Sequence, residues 1–141
     1  MKVLLDINVV LDVLLNRPPW VADASAVWSA HTHGQVEASL AAFSVPTLFY
    51  IVRRQTDLIT AQAAVADCLA TFRIVPVDRT TLDKARTLLH DDFEDNLQLA
   101  CALQAGLDAL VTRDPSGFTS SPIPVLSADE LLQRLAGPAA P

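Results

Sequence analysis

The sequence is sparing with the residues on which several kinds of chemistry depend. It holds two cysteines, four glycines, three histidines and ten basic residues in 141 positions. Cys68 and Cys101 lie inside apolar helical patterns and form no C-x-x-C pair, so they read as buried free thiols in a reducing cytoplasm. The glycines build neither a phosphate-cradling loop nor a G-x-S-x-G elbow, which removes the nucleotide-switch and serine-hydrolase classes. No run approaches the roughly 18 to 20 consecutive apolar residues of a bilayer span, so no integral membrane protein is expected. The apolar stretch 1–15 is broken by Asp6, Asn8 and Asp12 and has no small-residue cleavage site, so it is expected to be folded core and not a signal peptide. Ten Lys and Arg against sixteen Asp and Glu leave a net charge of −6 and a pI near 4.8. Such a balance argues against a general nucleic-acid binder, which needs a basic face.

What the chain has is apolar surface. Hydrophobic residues make up 51% and charged residues 18%, with a mean hydropathy of +0.33. That excludes a disordered polymer, and the length suits one compact domain. The domain is expected over 1–135, with 136–141 as a flexible tail. Short apolar runs at 2–5, 38–45, 73–77, 108–112 and 123–126 predict strands. Helical patterns are expected at 9–15, 19–33, from Pro46 onward, 58–71, 80–89, 95–105 and from Ala128 to Leu135. In the helix over 58–71 the expected apolar side is Ile59, Ala63, Ala66, Cys68 and Leu69. Strands alternating with helices predict an α/β fold, a three-layer α/β/α sandwich around a central, mainly parallel sheet.

The acids are not scattered evenly over this pattern. Asp6 closes the first apolar run, and Asp114 follows the run 109–112 across Arg113. In open parallel sheets functional groups gather beyond the carboxyl ends of the strands, so both acids are expected on one edge. Asp95 opens the helix leading into that second strand, and Asp92 stands three residues earlier, on the same side of a first turn. Singly, each has a plain explanation: Asp92 or Asp95 as a helix cap, Asp114 as a turn former before Pro115. Asp6 is harder to explain so, because a carboxylate between Leu5 and Ile7 needs a partner or a metal. An all-carboxylate pocket suits a hard cation such as Mg²⁺ or Mn²⁺ and not zinc. The histidines do not complete a zinc set: His31 and His33 are expected at a solvated helix end and His90 in a loop. Trp28 is expected in the core.

Three segments carry a family resemblance. Residues 4–12, LLDINVVLD, resemble the opening DTNVLLD of PIN-domain proteins. The segment 92–98, DFEDNLQ, is similar to their DFEDALQ, and Val111-Thr112-Arg113-Asp114 with Phe118 is similar to VTRD…F. The three lie in the family's order and span nearly the whole chain. The resemblance implies a PIN-like sandwich and a Mg²⁺- or Mn²⁺-dependent ribonuclease, the toxin half of a type II toxin–antitoxin pair of the VapC kind. It matches Asp6, Asp95 and Asp114 to the metal-binding acids, adds Asp92 as a further acid, and gives Asn8 and Thr112 supporting places. A homodimer and a small antitoxin protein are the implied partners beside the RNA substrate. One departure stands out: many PIN nucleases carry a Glu where this chain has Thr47, which removes one charge and one ligand.

The expected reaction is hydrolysis of an RNA phosphodiester with no protein nucleophile. Arg113 is the first candidate for phosphate contact, with Arg53 and Arg54 beside it. A different reading, a PIN-like module that binds RNA or a partner without cleaving, is favoured by Thr47. A phosphatase with a nucleophilic Asp6 is a third, opposed by Asn8 where a second acid is usual.

Overall fold

The computed structural model describes residues 1–137. The predicted tail therefore lies outside the described residues from position 138 on. Five strands form one sheet: β1 (Lys2–Leu5), β2 (Glu37–Ala41), β3 (Arg73–Val75), β4 (Ala109–Val111) and β5 (Val125–Leu126). Their order is β3-β2-β1-β4-β5 and every pairing is parallel. Seven α-helices complete the described residues: α1 (Ile7–Leu14), α2 (Val21–Thr32), α3 (Ser44–Gln55), α4 (Leu58–Thr71), α5 (Arg79–Ala85), α6 (Phe93–Gln104) and α7 (Ala128–Leu135). A 3₁₀ turn at Pro115–Phe118 joins β4 to β5.

Alternate strand residues face opposite cores, which accounts for the apolar runs having no polar side. Val3, Leu5, Ala109 and Val111 pack with α1, α2, α3, α4 and α7, whereas Leu4 and Leu110 pack with α5 and α6. This is the expected three-layer sandwich. Its asymmetry follows from handedness. The crossovers β1–β2–β3 move toward one edge, and that from β3 to β4 moves back past β1. Right-handed connections in opposite directions must lie on opposite faces.

The helix over 58–71 has the expected bounds and buries Cys68 as expected, but Ala61 and Ala64 take the inward places expected of Ile59, Ala63, Ala66 and Leu69. Ala61, Ala64 and Cys68 point inward, while Ile59 is 79% and Leu69 55% exposed. Small side chains let α4 lie close against α3, so the alanine stripe outcompetes the larger residues. The second helix begins at Val21, after Pro18 and Pro19. The helix expected over 80–89 stops at Ala85, and just beyond it the Thr87 hydroxyl donates to the Lys84 carbonyl at 2.7 Å. The third strand ends at Val75, because Pro76 has no N–H for the ladder. His31 is not a solvated end. Its Nε2 meets the Thr71 carbonyl at 2.6 Å, its Nδ1 accepts from the Ala38 N–H at 3.0 Å, and its ring stacks on Phe72. Trp28 packs edge-on against the same Phe72.

Candidate active site

Strand order places the site. β1 lies between β2 and β4, and the chain leaves it toward one edge and returns on the other side. At such a switch point the departing loops separate and open a crevice beyond the strand ends. Asp6 is the first residue after β1, and Thr112, Arg113 and Asp114 follow β4. The Asp6 N–H bonds the Val111 carbonyl at 2.8 Å, so the two strand ends are tied together.

One threonine links the two acids. The Thr112 hydroxyl, on a residue 1% exposed, donates to Asp6 Oδ2 at 2.8 Å and accepts the Asp114 N–H at 3.1 Å. Burial pushes the Asp6 carboxyl above its ordinary range, against the opposing pull of Thr112 and of the N–H groups of Ile7 and Asn8. The Asp114 carboxylate is held by the Ser116 hydroxyl at 2.6 Å, in the 3₁₀ turn.

Asp95 comes from the first turn of α6. Asp92 is the N-cap of that helix, accepting the Asp95 N–H at 3.0 Å, so it does the work of a cap. The Asp95 carboxyl is likewise raised, first by desolvation and then by repulsion from Asp92, Asp6 and Asp114. These acids therefore feel one another across a single cleft edge. Gly117 closes against this carboxylate so tightly that a Cβ there would collide with Asp95 Oδ2.

Asp6 and Asp95 line a small cleft with Ile7, Phe43, Ser44, Thr47, Glu94 and Gln98. Its volume of about 60 Å³ is solvent-sized, room for a few waters or an ion and not for an organic ligand. Thr47, exposed on the second turn of α3, faces it from across. Ser44, Glu94 and Gln98 were not singled out from the sequence. Glu94 and Gln98 were legible in principle, since i and i+4 share a helix face with Asp95 between them. The buried Gln98 amide also donates to the Leu5 carbonyl at 3.3 Å, holding α6 against the end of β1.

An expected support, Asn8, and an expected phosphate contact, Arg113, are placed otherwise. The Asn8 side chain turns away from Asp6 and accepts from Arg17 at 3.5 Å, leaving only its backbone N–H toward the acid. Arg113 is engaged within the protein: its guanidinium lies 3.8 Å from the centroid of the Trp20 ring and 3.5 Å from Asp12. Arg53 and Arg54 are exposed in the last turn of α3, and Arg54 shares a face with Thr47, one heptad on.

Among the described residues no group of three or more His, Cys, Asp and Glu closes into a cage that could hold a metal ion. The carboxylates reach one edge without closing on one another, and there the Thr112 hydroxyl bonds Asp6 and the Ser116 hydroxyl bonds Asp114. The donor set nonetheless fits a hard divalent cation: it is all oxygen, and two of its members are destabilised as anions by burial and by one another.

An all-parallel α/β domain with aspartates gathered at its switch point is the class that fold and site define. The family model for the PIN domain matches residues 2–116, so the chain belongs to the PIN-domain family. No curated relative matches it significantly. Solved structures match over most of their length. FitAcB from Neisseria gonorrhoeae is 22% identical, with a TM-score of 0.68, covering 89% of this chain and 97% of that one. VapC20 from Mycobacterium tuberculosis, described as a sarcin-ricin loop cleaving toxin, is 15% identical, with a TM-score of 0.66 over 80% of this chain and 90% of that one. DNA-bound VapBC from Salmonella typhimurium is 15% identical, with a TM-score of 0.69 over 91% and 98%.

Proposed function

We propose that this protein is a Mg²⁺- or Mn²⁺-dependent endoribonuclease and the toxin of a type II toxin–antitoxin pair. The observation that carries the reading is the pair Asp6 and Asp95, two carboxyls raised by burial on one solvent-sized cleft, with Asp114 within electrostatic reach. Asp6, Asp95 and Asp114 would hold the cation, with Asp92 and Glu94 as further acids at the rim. When bound, it supplies Lewis acidity to the phosphoryl oxygen and lowers the pKa of the attacking water.

The chain's own residues then have simple tasks. Thr112 fixes the lone-pair direction of Asp6 Oδ2, and Gly117 gives the Asp95 carboxylate its room. Gln98 holds α6 in register with β1. Arg54 and Arg53 offer phosphate contacts on the Thr47 side of the cleft, and Arg113 stabilises the β4 loop from behind it. Glu94 returns to the cleft a carboxylate that Thr47 does not supply. The negative field that repels RNA from the bare protein is offset once cations are held.

The likeness to VapBC complexes supports a small antitoxin as partner, and that to VapC20, a sarcin-ricin loop cleaving toxin, supports RNA as substrate; a second copy of the chain is a further part of the proposal. Burial pushes both thiols, Cys68 and Cys101, up to about 11, which suits a reducing cytoplasm where they stay unreactive. No helix among the described residues is long and apolar enough to cross a membrane. A second reading, a PIN module that binds RNA or a partner without cleaving, is favoured by Thr47 and by the open arrangement of the acids. The test is cleavage of total RNA across a Mn²⁺ titration. Metal-dependent cuts that vanish in Asp95→Asn select the enzyme; bound but intact RNA selects the second reading.

A further inference from the structure

Behind the acidic cleft lies a charged cluster that the proposed reaction does not use. Asp12, on α1, is 2% exposed. Its Oδ1 lies 3.5 Å from Arg113 and 3.8 Å from Arg17, beyond hydrogen-bond geometry for either, so it attracts both guanidinium groups without being saturated by one. Arg17 also reaches the Asn8 side chain, two residues from Asp6. Arg113 immediately precedes Asp114 and is clamped from the other side by Trp20. The cluster therefore ties α1, whose N-cap is Asp6 and which carries both Asn8 and Asp12, to the loop after β4 through Arg113. Asp12 cannot itself reach a ligand in the cleft: it stands six residues along the helix from Asp6, buried beside a separate cavity with Trp20 and Arg113.

We propose that Asp12 is a positioning residue: flanked by Arg17, it holds Arg113 and with it the β4 end loop against α1, in the register that sets Asp6, the N-cap of that helix, against Asp114. The physical ground is that a buried carboxylate flanked by two cations has one low-energy arrangement. Displacing either arginine leaves charge uncompensated in a poor solvent. Thr112 links the acids directly from the front, and Asp12 from the back. Any consequence for metal binding rests on the nuclease reading above, but the coupling of α1 to the β4 loop does not.

The experiment uses the full chain and four proteins: wild type, Asp12→Asn, Arg113→Gln and the double variant. Its first readout is hydrogen exchange without metal. In Asp12→Asn and in Arg113→Gln the amides of residues 112–114 are expected to lose protection severalfold, while those of β2 keep theirs. Uniform loss across the sheet, or none, overturns the proposal. Its second readout is Mn²⁺ affinity by titration calorimetry, expected to weaken about tenfold in each single variant, the range for residues that orient ligands. The double variant removes one charge of each sign, so its melting temperature is expected to recover while its Mn²⁺ affinity stays as weak as in either single one. Affinity that recovers together with stability marks Asp12 as merely structural and overturns the positioning role. Should the wild type bind no Mn²⁺, the nuclease reading falls and the exchange readout alone decides on the coupling. Arg113→Gln keeps the test open if Asp12→Asn does not fold.

Discussion

The two edges of the sheet treat charge in opposite ways. At the amino ends of the strands, Glu37 and Arg73 meet at 2.8 Å across adjacent strands, and Asp108 accepts the Lys2 N–H at 2.7 Å. The Arg73 guanidinium holds the Glu37 carboxyl below its ordinary range. At the carboxyl ends, Asp6 and Asp95 stand above theirs, raised first by burial, and the guanidinium of Arg113 beside Asp6 is engaged by Asp12. One edge is arranged to be quiet. The other keeps uncompensated charge, and a domain retains such an arrangement where a cation or substrate completes it.

The contrast is broken most strongly by taking charge from the carboxyl edge. On the proposed nuclease reading, Asp6→Asn and Asp95→Asn are each expected to cut Mn²⁺-dependent RNA cleavage by at least about 100-fold, because each would remove a metal ligand. Each is also expected to raise the melting temperature of the metal-free protein, since a desolvated, repelled anion disappears. Cleavage assays and thermal melts on the same samples check both, and a variant that loses activity and stability together contradicts the comparison. Thr112→Val tests the front link. With the hydroxyl gone, the Asp114 N–H and Asp6 Oδ2 lose a partner in part-buried positions, costing about 1 kcal/mol by denaturant unfolding. Mn²⁺ affinity is expected to fall about tenfold. Gly117→Ala, which forces a methyl group against Asp95, is expected to weaken Mn²⁺ binding by a similar factor or less, with the crystal structure of the variant showing the carboxylate displaced.

The pH dependence separates the edges by sign. Asp6 and Asp95 have folded-state pKa values above their unfolded ones, so their cost to stability is full above the folded values and is relieved as pH falls through them. Glu37 is lowered, so its contribution is present above the unfolded value and is lost as pH falls through the folded one. In metal-free protein the acid limb of the stability curve should therefore flatten in Glu37→Gln. Saturating Mn²⁺ should steepen the limb in wild type, because a bound cation favours the ionised carboxylates. The smallest effect is expected from Glu37→Gln at neutral pH: no change in cleavage and a melting temperature within error of wild type, as exposed ion pairs contribute little.

Much of this was legible from residues alone. A charge closing an apolar run marked Asp6, and the same logic with the parallel-sheet rule put Asp114 on the same edge. Asp78 and Ser127 cap their helices as the local pattern requires, each in a capping box. Side-chain direction was not legible. Whether Asn8 faces Asp6 or Arg17 depends on where residue 17 returns after α1. Whether Arg113 faces solvent or Trp20 depends on how α2 packs beside the β4 loop. The inward places of Ala61 and Ala64 on α4 have a related reason: hydrophobicity ranks residues one at a time, while close packing of two helices selects the small ones.

Periodicity, caps and the placement of acids at run ends are short-range properties, written within a few residues, and they fixed the elements, the layered class and the edge on which chemistry gathers. The strand order that brings residues 6 and 112 into contact, the rotation of α6 that turns Glu94 and Gln98 into the cleft, and the pairing of Asp12 with two arginines belong to the folded chain alone. Contacts across a hundred residues are decided by which surfaces can be buried together, and that competition involves the whole domain at once.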